Sequence, residues 1–176
     1  PQTIGVASAA TIHLGQRDCQ VEQKLMYKVA HESIHRLTFQ VPRSLAEAKA
    51  IEVSLAGKPL PLALLPENSP TPDSPLKMYA ALVDEAGMPS ERIGPFEVLL
   101  RYTAPHDPLV ADASLTLDVP LVVPEDGELT GNQATVLPAP GLRAVYRQGA
   151  WSPASTASEQ AQPLGGVQLS AKERLA

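Results

Sequence analysis

The chain carries one cysteine, Cys19, in 176 residues. A single thiol excludes an internal disulfide framework and any multi-cysteine metal site, and it leaves the redox compartment open. Aromatic residues make up 4%, too few for a sugar-stacking platform or a single-stranded nucleic-acid groove, since both need exposed rings. No basic stripe is present and the formal charge is −5. Nucleic acid and anionic membrane surfaces would lose their main electrostatic attraction, so neither is an expected partner. No apolar run is long enough to span a bilayer, and no glycine-rich phosphate loop, G-x-S-x-G elbow or amphipathic membrane helix occurs. Glycine is also scarce beside proline, with 11 against 18. Each proline removes a backbone donor and blocks a helix interior, so long helices have little room.

What is present is a 44% hydrophobic content, enough for a substantial core at this length, and it is arranged with a period of two. Ala10, Ile12 and Leu14 alternate with polar neighbours before a turn at Gly15 to Asp18. Val21, Leu25, Tyr27 and Val29 share a face with Gln23, while Glu22, Lys24 and Lys28 point the other way. Leu37, Phe39 and Val41 alternate up to Pro42. Ser44 to Lys49 suits a single helical turn with Ser44 as N-cap and Glu47 completing a capping box. Ile51, Val53 and Leu55 resume the alternation and stop at a Gly57-Lys58-Pro59 turn, after which Leu60 to Pro66 reads as a proline-bracketed edge. Asn68 to Pro75 and Ala86 to Gly94 read as loops on either side of a strand at Lys77 to Val83. Phe96, Val98, Leu100 and Tyr102 make the clearest half-buried strand. Leu115 to Val123, broken at Pro120, then Gln133 to Leu137 and Leu142 to Tyr146 complete the set.

Short strands at this spacing, with no helix able to cover a sheet, predict an all-β, two-layer antiparallel β-sandwich, immunoglobulin-like or jelly-roll-like. A barrel is the lesser alternative. The domain is expected over residues 1–151. Residues 152–176, rich in Ser, Ala, Gln and Pro, are expected as a tail or linker. The chain opens at Pro1, which predicts a processed or excised segment. Val6 to Ala10 resembles the small-residue end of a secretory signal, with no long apolar region ahead of it.

One pentapeptide speaks of chemistry. His31-Glu32-Ser33-Ile34-His35 spells H-E-x-x-H, which on a helix places two histidines on one face for zinc and a glutamate as general base. On a strand, residues four apart stand roughly 13 Å apart, too far for one ion. Arg36 follows the second histidine, and Thr38 and Val41 occupy the places where a metzincin would carry Gly and a third His. Glu47 and Glu52 are the nearby candidates for a downstream acidic ligand, but Glu52 lies in an alternating stretch. As a helix, Val21 to Leu37 would spread its apolar residues over more than half the circumference. The preferred reading is a hairpin whose turn falls near Glu32-Ser33, with His31 and His35 flanking the bend.

The other candidates have plainer readings. Cys19 lacks an activating context and is expected as core filler. Glu125-Asp126-Gly127-Glu128, with Asp112 and Asp118, offers calcium-type oxygens without the spacing of an EF-hand, and an acidic β-turn explains the run. His106-Asp107-Pro108 reads as a turn and His13 as a lone surface histidine. Trp151 is expected to close the open end of the sandwich. A ligand- or carbohydrate-binding role would need a concave face lined by Tyr27, Tyr102, Tyr146 or Trp151.

Three stretches also carry a resemblance: Met26 to Ala30 leading to Leu37 to Pro42, Ile93 to Val98, and Val119 to Gly127. Over roughly Val21 to Trp151 the chain resembles β-sandwich segments of large uncharacterised secreted or membrane-anchored bacterial proteins. The resemblance implies an extracytoplasmic structural or interaction module and carries over no catalytic residue. The sequence therefore leads to a non-catalytic module of a larger extracytoplasmic protein, with no assigned catalytic, cofactor or metal residue and no cofactor. Its expected partners are neighbouring domains or another protein. The alternatives are a zinc-dependent hydrolase built on His31, Glu32 and His35, and a ligand-binding sandwich.

Overall fold

The computed structural model describes residues 2–66, 71, 74–145, 151–153 and 167–171. Its elements in chain order are β1 (Thr3–Leu14), β2 (Asp18–Ile34), β3 (Arg36–Val41), α1 (Arg43–Glu47), β4 (Glu52–Leu55), β5 (Lys58–Pro59), β6 (Leu62–Leu64), β7 (Leu76–Ala81), β8 (Arg92–Pro105), β9 (Val123–Pro124), β10 (Glu128–Pro138), β11 (Ser152–Pro153) and β12 (Val167–Ala171). They form an eight-stranded sheet in the order β11-β12-β10-β1-β2-β8-β4-β5 and a four-stranded sheet in the order β6-β7-β3-β9. The expected all-β, two-layer sandwich is present. One ladder departs from the antiparallel pattern: β1 and β10 run parallel, from Gly5 opposite Glu128 to Leu14 opposite Pro138.

Alternation decides which face is buried. Cys19, Val21, Gln23, Leu25, Tyr27 and Val29 of β2 all face inward, as do Val98, Leu100, Tyr102 and Ala104 of β8, and Leu37, Phe39 and Val41 of β3. Register brings these sets together, with Leu25 opposite Val98, Gln23 opposite Leu100 and Val21 opposite Tyr102. Because the side-chain period is two, a one-residue slip would turn the whole row to solvent, so the register is strongly specified.

Several expected elements differ. The short helix has Pro42 at its N-cap position with no side-chain cap, and Ser44 lies inside it. The Pro42 carbonyl accepts from the Leu45 and Ala46 amides instead. Of the strand expected over Leu115 to Val123, only Val123 joins a ladder, as the first residue of β9. Leu142 to Val145 form no strand, and Tyr146 lies outside the described residues, as does most of the expected 68–75 loop. Within the segment expected as a tail, β12 pairs with β10 and β11 pairs with β12.

A buried amide explains how residues 120–123 are held without a regular strand. The Gln23 side chain donates to the Val122 carbonyl at 2.7 Å and to Ser8 Oγ at 3.0 Å, and it accepts from the Val122 amide at 3.2 Å. Tyr102 donates its hydroxyl to the Pro120 carbonyl at 2.9 Å. The Gln23 amide thus serves both backbone groups of Val122 as a neighbouring strand would, so Val122 is buried, between buried Leu121 and Val123, with its own N–H and C=O satisfied.

Candidate functional site

The H-E-x-x-H segment is a corner between the two sheets. Along the β2–β8 ladder Val29 faces Gly94, and the next pair is Ile34 with Arg92. Residues 30–33 of β2 therefore stand opposite the single residue Ile93, a wide bulge of the kind that bends a strand and re-aims the chain. His31 takes a left-handed backbone at φ 73°. Beyond Ile34 the chain leaves the large sheet, and β3 pairs with β7 and β9. The expected hairpin is thus corrected, because β2 and β3 belong to different sheets. The expected bend between strands is present.

Local hydrogen bonds fasten this corner. Ser33 Oγ donates to Glu91 Oε2 at 2.5 Å, and Gln2 Nε2 donates to the Ser33 carbonyl at 3.2 Å. The His35 carbonyl accepts from the Leu82 amide at 2.9 Å. Ile34 is buried, whereas His31, Glu32 and His35 are exposed. The helical presentation on which zinc-peptidase chemistry depends is not formed at residues 31–35. Among the described residues, no three His, Cys, Asp or Glu side chains gather as a metal site would require.

The acidic run serves the fold. Asp126 accepts from the Thr38 amide, Glu125 accepts from Gln40 Nε2 at 2.6 Å and lies 3.3 Å from Lys77 Nζ, and the Glu125 amide donates to the Thr38 carbonyl at 2.9 Å. Burial pushes the Asp126 carboxyl above its ordinary range, while the Thr38 hydrogen bond and the Arg36 charge act in the opposite direction. Gly127, at φ 79°, lets the chain turn against β1, where a Cβ would overlap the Ile4 carbonyl oxygen. Asp112 and Asp118 are exposed elsewhere.

The remaining candidates are accounted for singly. Cys19 is buried, and burial followed by the charge of Asp18 pushes its thiol up, away from the reactive thiolate. Tyr27 and Tyr102 are 1% and 4% exposed and turn inward, Tyr27 stacking on Phe96 at 5.2 Å. Burial also pushes the Tyr102 phenol up. Trp151 packs against the core. His13 is exposed on the outer face of β1, and His106 Nδ1 lies 2.7 Å from the Asp107 carbonyl.

The structure instead presents an open groove of about 1080 Å³ along the side of the large sheet, where the β4–β5 hairpin, Leu60 to Leu62 and β8 meet. Sequence reasoning missed it. The signal was the length mismatch between a four-residue and a fourteen-residue strand.

No family model and no curated protein matches the chain. Among solved structures it is similar to yeast LTA4 hydrolase in complex with bestatin, with a TM-score of 0.51 and 9% identity over 96% of this chain and 26% of that one. It is also similar to an M1 zinc metallopeptidase from Deinococcus radiodurans, with a TM-score of 0.44 and 11% identity over 96% of this chain and 38% of that one. At such identity the first likeness shows the fold alone, and the second carries no argument. The chain spans between 26% and 38% of the length of these solved chains.

Proposed function

We propose that this chain is a non-catalytic β-sandwich module of a larger extracytoplasmic bacterial protein, holding neighbouring domains or a protein partner through its sheet edges and loops. The observation that carries this reading is the corner at His31 to His35. The residues with the strongest catalytic spelling form a bulge and a sheet crossing, and the acidic run is engaged in fastening β3. A fold that aligns with 26% of a longer hydrolase chain supports the view that such a sandwich works as part of a larger polypeptide. The extracytoplasmic placement rests on the bacterial segments that the sequence resembles.

That likeness also favours a second reading, in which the chain is the β portion of a longer hydrolase whose reacting groups lie outside residues 1–176. Elemental analysis tests the first reading. The purified chain is expected to hold zinc far below one equivalent, with no change in His31→Ala. Stoichiometric zinc that is lost in His31→Ala, together with peptide hydrolysis, would overturn it. On the second reading the chain alone is equally free of zinc, and hydrolysis appears only in the longer polypeptide and persists in His31→Ala.

A further inference from the structure

Strand β8 is covered unequally on its two edges. On one side it pairs with β2 from Pro105 to Gly94 and again at Arg92. On the other it meets β4 only from Val98 to Arg101. The cover stops because the chain turns back at Ala56 and Gly57, with φ 50° and 78°, into β5. Residues 92–97 have no backbone partner on that side among the described residues. Pro95 sits in an intact ladder opposite Lys28, and a proline keeps such a place when its missing N–H faces the open side. This puts the Pro95 carbonyl and both backbone groups of Glu97 on the free edge.

The groove runs along this edge. Phe96 and Leu62 are half-buried in its wall, and Ile93, 61% exposed, stands on the outer side of the sheet. Charge is placed at both ends. The buried Arg92 Nε has no acceptor among the described residues, and the neighbouring Glu91 carboxylate is engaged by Ser33. Glu97 is exposed at the other end, roughly 17 Å along a strand from Arg92.

We propose that the free edge of β8 at Arg92 to Glu97 takes up an extended peptide segment as an added strand, antiparallel to β8, with an acidic side chain over Arg92 and a basic one near Glu97. This rests on the reading of the chain as an interaction module and names where and what it holds. Main-chain bonds to Pro95 and Glu97 supply the pairing, and alternate side chains of the segment close over Phe96 and Leu62. The half-buried Arg92 side chain, whose Nε has no acceptor among the described residues, gains a charge-assisted bond, which sets direction and register.

The test uses the full chain and a fluorescein-labelled octapeptide of alternating valine and threonine, with lysine near its N-terminus and glutamate near its C-terminus. Anisotropy is expected to show saturable binding. The E97P variant, which removes an edge donor and leaves the β2 ladder intact, should weaken it at least about tenfold. Arg92→Glu should weaken it comparably, with binding recovered by a peptide carrying lysine in place of the glutamate. That rescue keeps the test decisive even where E97P disturbs the fold. The proposal is overturned by no saturation up to about 1 mM peptide, by an affinity in both variants unchanged from the parent, by equal affinity of the parent for the peptide with its two charges exchanged, or by a dimer of the chain that excludes the peptide. Cleavage of the peptide with bound zinc would sink the non-catalytic reading and leave the edge proposal standing. Absence of both zinc and binding would sink the edge proposal alone.

Discussion

Gln23 has the chemistry of a surface residue and the position of a core one. Its alternation with Val21 and Leu25 shows in the sequence that it faces inward. What it faces does not show, because its partner Val122 is 99 positions away in a stretch whose own alternation suggests a strand. A buried amide that serves both an N–H and a C=O matters mainly through what its loss leaves behind, two polar groups without partners in a dry interior. Gln23→Ala is therefore expected to lower stability by about 2–4 kcal/mol, combining those orphaned groups with the vacated volume. The shift in the urea midpoint at unchanged slope checks it, and a loss below about 0.5 kcal/mol would mean that the Val122 groups find other partners.

At the scale of elements, alternation identified β2, β3, β4, β7 and β8 within a few residues, because each of these strands buries one face. It was silent on which sheet each strand joins. His31 to His35 read as a hairpin because the flanking patterns are both strand-like, yet the difference between a hairpin and a corner lies in partners remote in sequence. The strand expected at Leu115 to Val119 failed in the complementary way: the pattern exists, but Leu115 is 40% exposed and no ladder receives the segment. β-propensity is a statement about a half-buried surface, and without a neighbour it has no object. The groove was illegible for the same reason, since an unpaired edge is defined by where another strand stops. The corner itself can be examined directly. His31 holds a left-handed backbone, a conformation that glycine adopts without the steric penalty of a Cβ. His31→Gly is expected to raise unfolding stability by up to about 1 kcal/mol in denaturant titration; a clear loss would show that the imidazole supports the corner.

The whole molecule is two sheets joined where the chain crosses, and Asp126 guards one crossing, between β9 of the small sheet and β10 of the large one. Burial raises its carboxyl in the folded state, so the folded protein binds that proton more tightly than the unfolded chain does. The resulting contribution favours folding below the ordinary carboxylate range and is lost as pH rises through the raised value. Asp126→Asn, which keeps an oxygen for the Thr38 amide, is expected to be more stable than the parent at neutral pH, with the difference shrinking as pH falls through the raised value toward about 4 and levelling off below that. Thermal unfolding of both proteins across pH 3–8 measures this, and a constant difference would refute it. The parallel ladder between β1 and β10 has a consequence of another kind. The third residue of the chain begins a strand whose second neighbour starts at residue 128. During synthesis β1 can pair with β2 soon after both are made, but its other side stays open until residues 128–138 follow. The centre of the large sheet is thus completed only once β10 is made, and a growing chain that ends before residue 128 presents that open strand to whatever else is nearby.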